Sequence, residues 1–312
     1  MLAALAVAAL AVVPARAQDQ VSPGVDPAAA AAFAREHPDL GRLFTRNWRH
    51  LLDVVPELAA QRRFLLSQRR VELVFSDPGP AISADSVAMY SPGVVRINRQ
   101  WLCWAGSQLA ARGVPYSRIP GLLAWKLLPT LAHELRHGIT HEQMREEVGD
   151  VCPAFVIENE VVSFYDNVRV GKAVLRRNPS AFTDDLLLGS VDRDLAQTLA
   201  AYKSGPTGLE SLVASLYQGR LSAVSATRQQ LLDEAEKGRS DTASLLSQYE
   251  AGDAAVKAQF GASYGQDPVK ALDRSLSVYE GCTRVLSDPE KFRRFRNFYK
   301  DRIEAIEEDW SP

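Results

Sequence analysis

The chain reads as an α+β protein, predominantly helical, with a small antiparallel sheet set among its helices. Three observations predict this. Apolar residues recur at helical spacing over most of the length, short β-rich pieces broken by Pro and Gly fill residues 71–98, and long helical patterns return from Gln100 onward. With 312 residues, 46% of them hydrophobic, the chain can bury one large core or two modest ones.

The opening MLAALAVAALAVVPARA is an apolar run ending in Ala15-Arg16-Ala17, a small-x-small pattern that marks residues 1–17 as an export signal cleaved before Gln18, although no Lys or Arg precedes the apolar stretch. Residues 18–38 follow as a flexible leader that enters a helix at Asp26-Pro27. Over residues 39–70, Leu43, Phe44, Trp48, Leu51, Leu52, Leu58, Phe64 and Leu65 keep helical spacing, and Pro56 divides the run into two helices. VELVFSD, the turn residues Pro78-Gly79-Pro80 and VAMYSPGVVRIN make the sheet. RQWLCWAGSQLAARG is helical again, with Trp101, Cys103 and Trp104 read as core; a Pro/Gly-containing loop over residues 114–121 leads into LLAWKLLPTLAHELRHGITHEQMREEVG. Beyond Pro153, AFVIENEVVSFYDNVRVGKAVLRR has the apolar density of another buried helix. The remainder alternates helices with breaks at Ser204-Gly205-Pro206 and Gly265-Gln266-Asp267-Pro268, and the last helix starts at the cap pair Asp288-Pro289.

A net charge of −2 provides no broad basic field for phosphate backbones, so nucleic acid is excluded as the expected partner. The basic cluster Lys291, Arg293, Arg294, Arg296 and Lys300, interleaved with Phe292, Phe295, Phe298 and Tyr299, is followed at once by Glu304, Glu307 and Glu308, and reads as a solvated helix with an apolar inner face. No run after the signal approaches the roughly 18 apolar residues needed to span a bilayer. Three cysteines, Cys103, Cys152 and Cys282, are too few for a disulfide framework and form no CxxC; in an oxidising compartment two can pair and leave one over, and spacing does not say which.

The chemistry concentrates in HELRH. Of five histidines, His133, His137 and His141 fall within nine residues. Positions four apart share one helix face, so His133 and His137 can present imidazole nitrogens to one ion, with Glu134 beside them to take a proton from water on the metal. Imidazole and carboxylate suit zinc, which leaves one position open to water and lowers its pKa toward neutrality. In a chain with five histidines a chance HExxH has odds of roughly one in two hundred. The apolar flanks Leu127, Leu128, Leu131, Ala132 and Leu135 bury the motif, and buried imidazoles need a partner.

On these residues the chain resembles the zincin metallopeptidases, and in particular the glutamate-ligand branch, in which a second helix supplies a carboxylate. The stretch Asn159-Glu160-Val161-Val162-Ser163 is similar to the N-E-x-x-S pattern of thermolysin-like members, and the resemblance implies Glu160 as third ligand of a single zinc. Glu158 is the rival; two helix positions about 200° apart cannot face one ion. His141 stands about 12 Å from His133 along a straight helix, though Gly138 offers a place for the helix to break and the chain to turn back; Asp150 and Glu147 are further alternatives. Where the family often has an Asp that orients the first histidine this chain has Phe164, which leaves Asp166 as a candidate for that role. Tyr90 to Asn98 looks like the edge strand that zincins place above the metal, and Tyr90 and Tyr165 are candidates to steady an oxyanion.

The expected organisation is therefore a zincin-like catalytic domain over residues 39–178 and a helical C-terminal region over 179–312. The expected activity is that of an exported zinc-dependent metallohydrolase, periplasmic or extracellular, hydrolysing peptide or protein substrates with Glu134 as base. The alternative is a non-catalytic zinc-binding envelope protein that acts through protein partners.

Overall fold

The computed structural model describes residues 25–67, 71–78, 86–152, 156–261 and 268–310. The expected export signal and the turn and break expected at Gly79-Pro80 and Gly265-Gln266-Asp267 lie outside them. The structure is mostly helical with one three-stranded sheet.

Local chemistry sets most element ends. α1 (Pro27–Glu36) begins at Asp26, whose carboxylate accepts the Ala28 and Ala29 N–H groups, with Pro27 in the first turn where its missing N–H costs no bond. α2 (Leu40–Val54) and α3 (Ala59–Ser67) are divided at Pro56, which holds the preceding Val55 extended. Residues 71–98 supply β1 (Glu72–Ser76), β2 (Ala88–Ser91) and β3 (Val94–Asn98).

The sheet is mixed, where a simple antiparallel arrangement was expected. Pro92-Gly93, with Gly93 at φ +80°, turns β2 back on β3 with Tyr90 opposite Val95. β1 then joins the other side of β3 in parallel, Glu72 opposite Val94. Proximity in sequence favours a meander; burial decides against it, because β3 is the most enclosed strand and takes the middle place, leaving β2 as an edge.

α4 (Arg99–Ala111) follows, capped by the Asn98 side chain on the Trp101 N–H, and buries Trp101, Cys103 and Trp104 as the sequence indicates. α5 (Ile119–Val148) is the axis of the molecule: 30 residues, about 45 Å long. It runs unbroken through Gly138. A Cβ there would lie 2.5 Å from the Phe64 ring and 3.0 Å from that of Tyr90, so the glycine serves close packing of α3 and β2 on α5 and no chain reversal occurs. α5 ends at Gly149, left-handed at φ +88°. α6 (Ile157–Arg177) folds back along α5.

The C-terminal region comprises α7 (Ser190–Lys203), α8 (Pro206–Leu216), α9 (Arg228–Glu250), α10 (Ala254–Gly261), α11 (Pro268–Ser287) and α12 (Pro289–Glu308). α12 buries Phe295, Phe298 and Tyr299 and exposes Arg293 and Arg294, which pair with Glu290, as expected of a solvated amphipathic helix. A disulfide between Cys152 and Cys282 ties the α5–α6 junction to α11; Cys103 is the free, buried thiol.

One buried ion pair locks α7 on α5. Lys126 Nζ lies 3.0 Å from both oxygens of Asp192, and both side chains are essentially inaccessible. Removing one partner strands a charge in a dry core, whereas removing both does not. Asp192→Ala is predicted to lower the unfolding free energy by about 3–5 kcal/mol, and the Lys126→Met, Asp192→Leu pair to recover most of it, read by chemical denaturation. Additive losses in the double variant would refute the stranded-charge account.

Candidate metal centre

The crossing of α5 and α6 brings together His133, His137 and Glu160. His133 Nε2 and His137 Nε2 are 3.2 Å apart, and Glu160 Oε2 lies 3.4 Å from the first and 3.7 Å from the second. Ligand atoms arranged tetrahedrally at 2.0–2.1 Å from zinc are about 3.3–3.4 Å from one another, so the three measured edges bracket the spacing such an ion requires. Glu160 Oε2 is buried and accepts no hydrogen bond, an orphaned anionic oxygen aimed at two imidazole nitrogens. Among the described residues this is the group of His, Cys, Asp and Glu whose donor atoms converge as metal ligands do, all within 4.8 Å.

The electrostatics fit a cation. Burial raises the cost of a charged Glu160, but His137, Arg220 and His133 outweigh it and hold the carboxyl well below the usual carboxylate range. Burial pushes the His137 imidazole down to about 4. For His133 burial acts the same way, yet Glu160 and Glu134 outweigh it and favour the charged form. Burial thus favours a neutral His137 while carboxylate neighbours favour a charged His133, and a metal ion can take the place of that added positive charge.

Hydrogen bonds also aim His137. Its Nδ1 has Ser163 Oγ at 3.2 Å and the Asn159 side-chain amide at 3.0 Å. Ser163 spends its own hydroxyl proton on the Asn159 carbonyl at 2.9 Å, so its oxygen is left to accept from Nδ1–H. Turning the Asn159 amide by 180° puts its otherwise unpartnered Oδ1 on the same proton. With Nδ1 protonated, the Nε2 lone pair faces Glu160 and His133. His133 is instead oriented by packing, edge-on to Phe164 with ring centroids 4.8 Å apart.

Glu134 sits beside this group and accepts the Tyr90 backbone N–H of β2 at 2.6 Å; desolvation in the site pushes its carboxyl up to about 7. A carboxyl poised there can both accept and return a proton near neutral pH. The groove above is bounded by β2 on one side and by Tyr217 and, from α11, Tyr279 on the other; apart from His133, Glu134, His137, His141 and Glu160 its lining is uncharged.

Several expected roles are reassigned. Glu158 points away and accepts from Ser222 Oγ at 2.5 Å and the Ala223 N–H at 2.8 Å. His141 lies in the same groove, edge-on to the Tyr90 ring, outside the converging trio. Asp150 is taken by Arg284 and Glu147 by Arg302. Asp166 does not reach His133; it accepts from Arg136 at 2.7 Å and from Gln61 at 2.6 Å. Tyr165 donates to Asp309 at 2.7 Å, within the cluster formed with α7, α8 and α12. Of residues 90–98, β3 is the central strand, and it is β2 that stands at the sheet edge and gives its Tyr90 N–H to Glu134. Arg220 and Tyr217 escaped sequence reasoning, since nothing in their spacing links them to a helix some sixty residues earlier. Asn159 and Ser163 were within view, four residues apart on either side of Glu160-Val161-Val162.

Compared with known protein families, with curated proteins and with solved structures, the chain shows no match. The site therefore has to be read from its own chemistry.

His141 gives a test of the buried environment. Burial first, then His137 and Arg145, push its imidazole down to about 3. Between an ordinary His value of about 6.5 and that point the unfolded chain binds more protons than the folded one, so this group removes stability as pH falls. Glu134 acts in the opposite sense between about 4.3 and 7, so the difference between two proteins isolates His141. In metal-free protein, the stability of wild type relative to His141→Gln is predicted to decline steadily from pH 7 to pH 4, followed by urea unfolding. A constant difference would mean that His141 is not buried neutral.

Proposed function

We propose that this protein is a zinc-dependent hydrolase, acting as a peptidase on peptide or protein substrates. The observation that carries the reading is the triangle of His133, His137 and Glu160 donor atoms with the proton-accepting Glu134 beside it, in a groove bounded by a free strand edge. The resemblance of HELRH and Asn159-Glu160-Val161-Val162-Ser163 to the glutamate-ligand zincins supports the same assignment. When bound, zinc supplies Lewis acidity toward a carbonyl and lowers the pKa of water.

The chain's own residues do the rest. His133 and His137 through Nε2, and Glu160 through Oε2, would hold the ion. Glu134 takes the proton of water as its oxygen adds to the scissile carbonyl carbon, and delivers that proton to the nitrogen as the C–N bond breaks. Apart from the Tyr90 N–H that Glu134 holds, the outward edge of β2 suits an extended peptide, which would pair with it through backbone hydrogen bonds. Away from its ionisable cluster the groove's uncharged lining suits small, apolar or aromatic side chains flanking the scissile bond. The Cys152–Cys282 disulfide is in keeping with export to an oxidising compartment. No helix of the described residues is long and apolar enough to cross a membrane.

Metal content and hydrolysis test this together. Purified wild type is predicted to carry about one zinc per chain, with His137→Ala and Glu160→Ala losing it, by mass spectrometry of metals. Glu134→Gln should keep its zinc while cleavage of a peptide library falls by about 10²–10⁴-fold. Wild type without metal would sink the reading. Zinc retained with no cleavage by wild type would favour a non-catalytic, partner-binding role.

A further inference from the structure

Segment 217–224, between α8 and α9, meets the first turn of α6. The Ile157 N–H donates to the Leu221 carbonyl at 2.9 Å. Glu158 accepts from Ser222 Oγ at 2.5 Å and from the Ala223 and Val224 N–H groups at 2.8 and 3.3 Å. Arg220 Nη1 donates to Glu160 Oε1 at 2.8 Å, with its guanidinium 4.5 Å from the Tyr217 ring centroid. Two carboxylates two residues apart, on different sides of one helix, are thus gripped by one short segment.

The grip divides the two oxygens of Glu160. Oε1 goes to the guanidinium and Oε2 to the imidazoles. A carboxylate without such a partner can rotate, chelate through both oxygens or swing out; a planar donor fixed on one oxygen removes those options. The same guanidinium is a positive charge close to a cation site, which by itself opposes metal binding. Both effects are real, and they predict opposite responses when Arg220 is removed.

We propose that segment 217–224 is the positioning element of the metal centre: Arg220 is a positioning residue that holds Glu160 as a one-oxygen ligand, and Glu158 anchors the segment that carries Arg220. The inference rests on the metal-centre reading. It makes the chain after α7 part of the site's construction, although none of the three ligands comes from it.

The test is zinc affinity by competition with a chromophoric chelator, together with the visible absorption of the cobalt(II)-substituted protein, for full-length wild type, Arg220→Ala, Arg220→Lys and Glu158→Gln, with folding checked by circular dichroism. The expected result is zinc binding weakened about 10–100-fold in Arg220→Ala and Glu158→Gln, partial recovery in Arg220→Lys, and altered cobalt bands in the weakened variants. Loss in Glu158→Gln is the telling outcome, because Glu158 faces away from the ion. Unchanged or tighter zinc binding with an unchanged cobalt spectrum in Arg220→Ala overturns the proposal and leaves Arg220 as a repelling charge. Should Arg220→Ala not fold, wild-type affinity in both Arg220→Lys and Glu158→Gln overturns it equally. Wild type that binds neither metal fails the metal-centre reading itself, an outcome read on wild type alone.

Discussion

Two imidazoles and a carboxylate lie within 3.2–3.7 Å of one another at a crossing of two buried helices, and the surrounding structure is arranged to make that placement tolerable. Moving such groups out of water is costly unless each finds a partner. α6 itself supplies Ser163 and Asn159 for His137 Nδ1 and the Phe164 ring edge-on to His133, and the segment between α8 and α9 supplies Arg220 for Glu160 Oε1. Glu160 Oε2 accepts no hydrogen bond, and it faces the two Nε2 atoms.

The same crossing explains the sheet and the glycine. Glu134 takes the Tyr90 N–H, so β2 must approach α5 closely at this level. Gly138 permits the approach, since a methyl group there would strike Phe64 and crowd Tyr90. The strand in turn keeps a free edge beside the ionisable cluster, because the enclosed β3 occupies the middle of the sheet. Packing and chemistry are here one arrangement: the contacts that seat the strand also set the proton affinity of Glu134.

Away from the crossing, stability rests on links of ordinary kinds. The Lys126–Asp192 pair joins α7 to α5, and the Cys152–Cys282 bridge closes a loop of 130 residues, an entropic contribution on the order of 5 kcal/mol in the chain-entropy limit. Both links tie the C-terminal helices to the two helices that carry the centre. That coupling is in keeping with a site assembled from both halves of the chain.

The sequence by itself determined the local facts. Asp26-Pro27 and Asp288-Pro289 start helices, Pro56 separates two, and the spacing of four sets His133 and His137 on one face, because capping, proline sterics and helical period act over a few residues. It also determined that Glu158 and Glu160 cannot share an ion, since 200° separates them. Which one turns inward was a tertiary decision, made by segment 217–224 arriving to hold Glu158 on one side and Glu160 on the other. The strand order, the reassignment of Asp166 to Arg136 and the entry of Arg220 and Tyr217 were decided in the same way. Each depends on which distant surfaces meet, and neither period nor spacing along a chain carries that information.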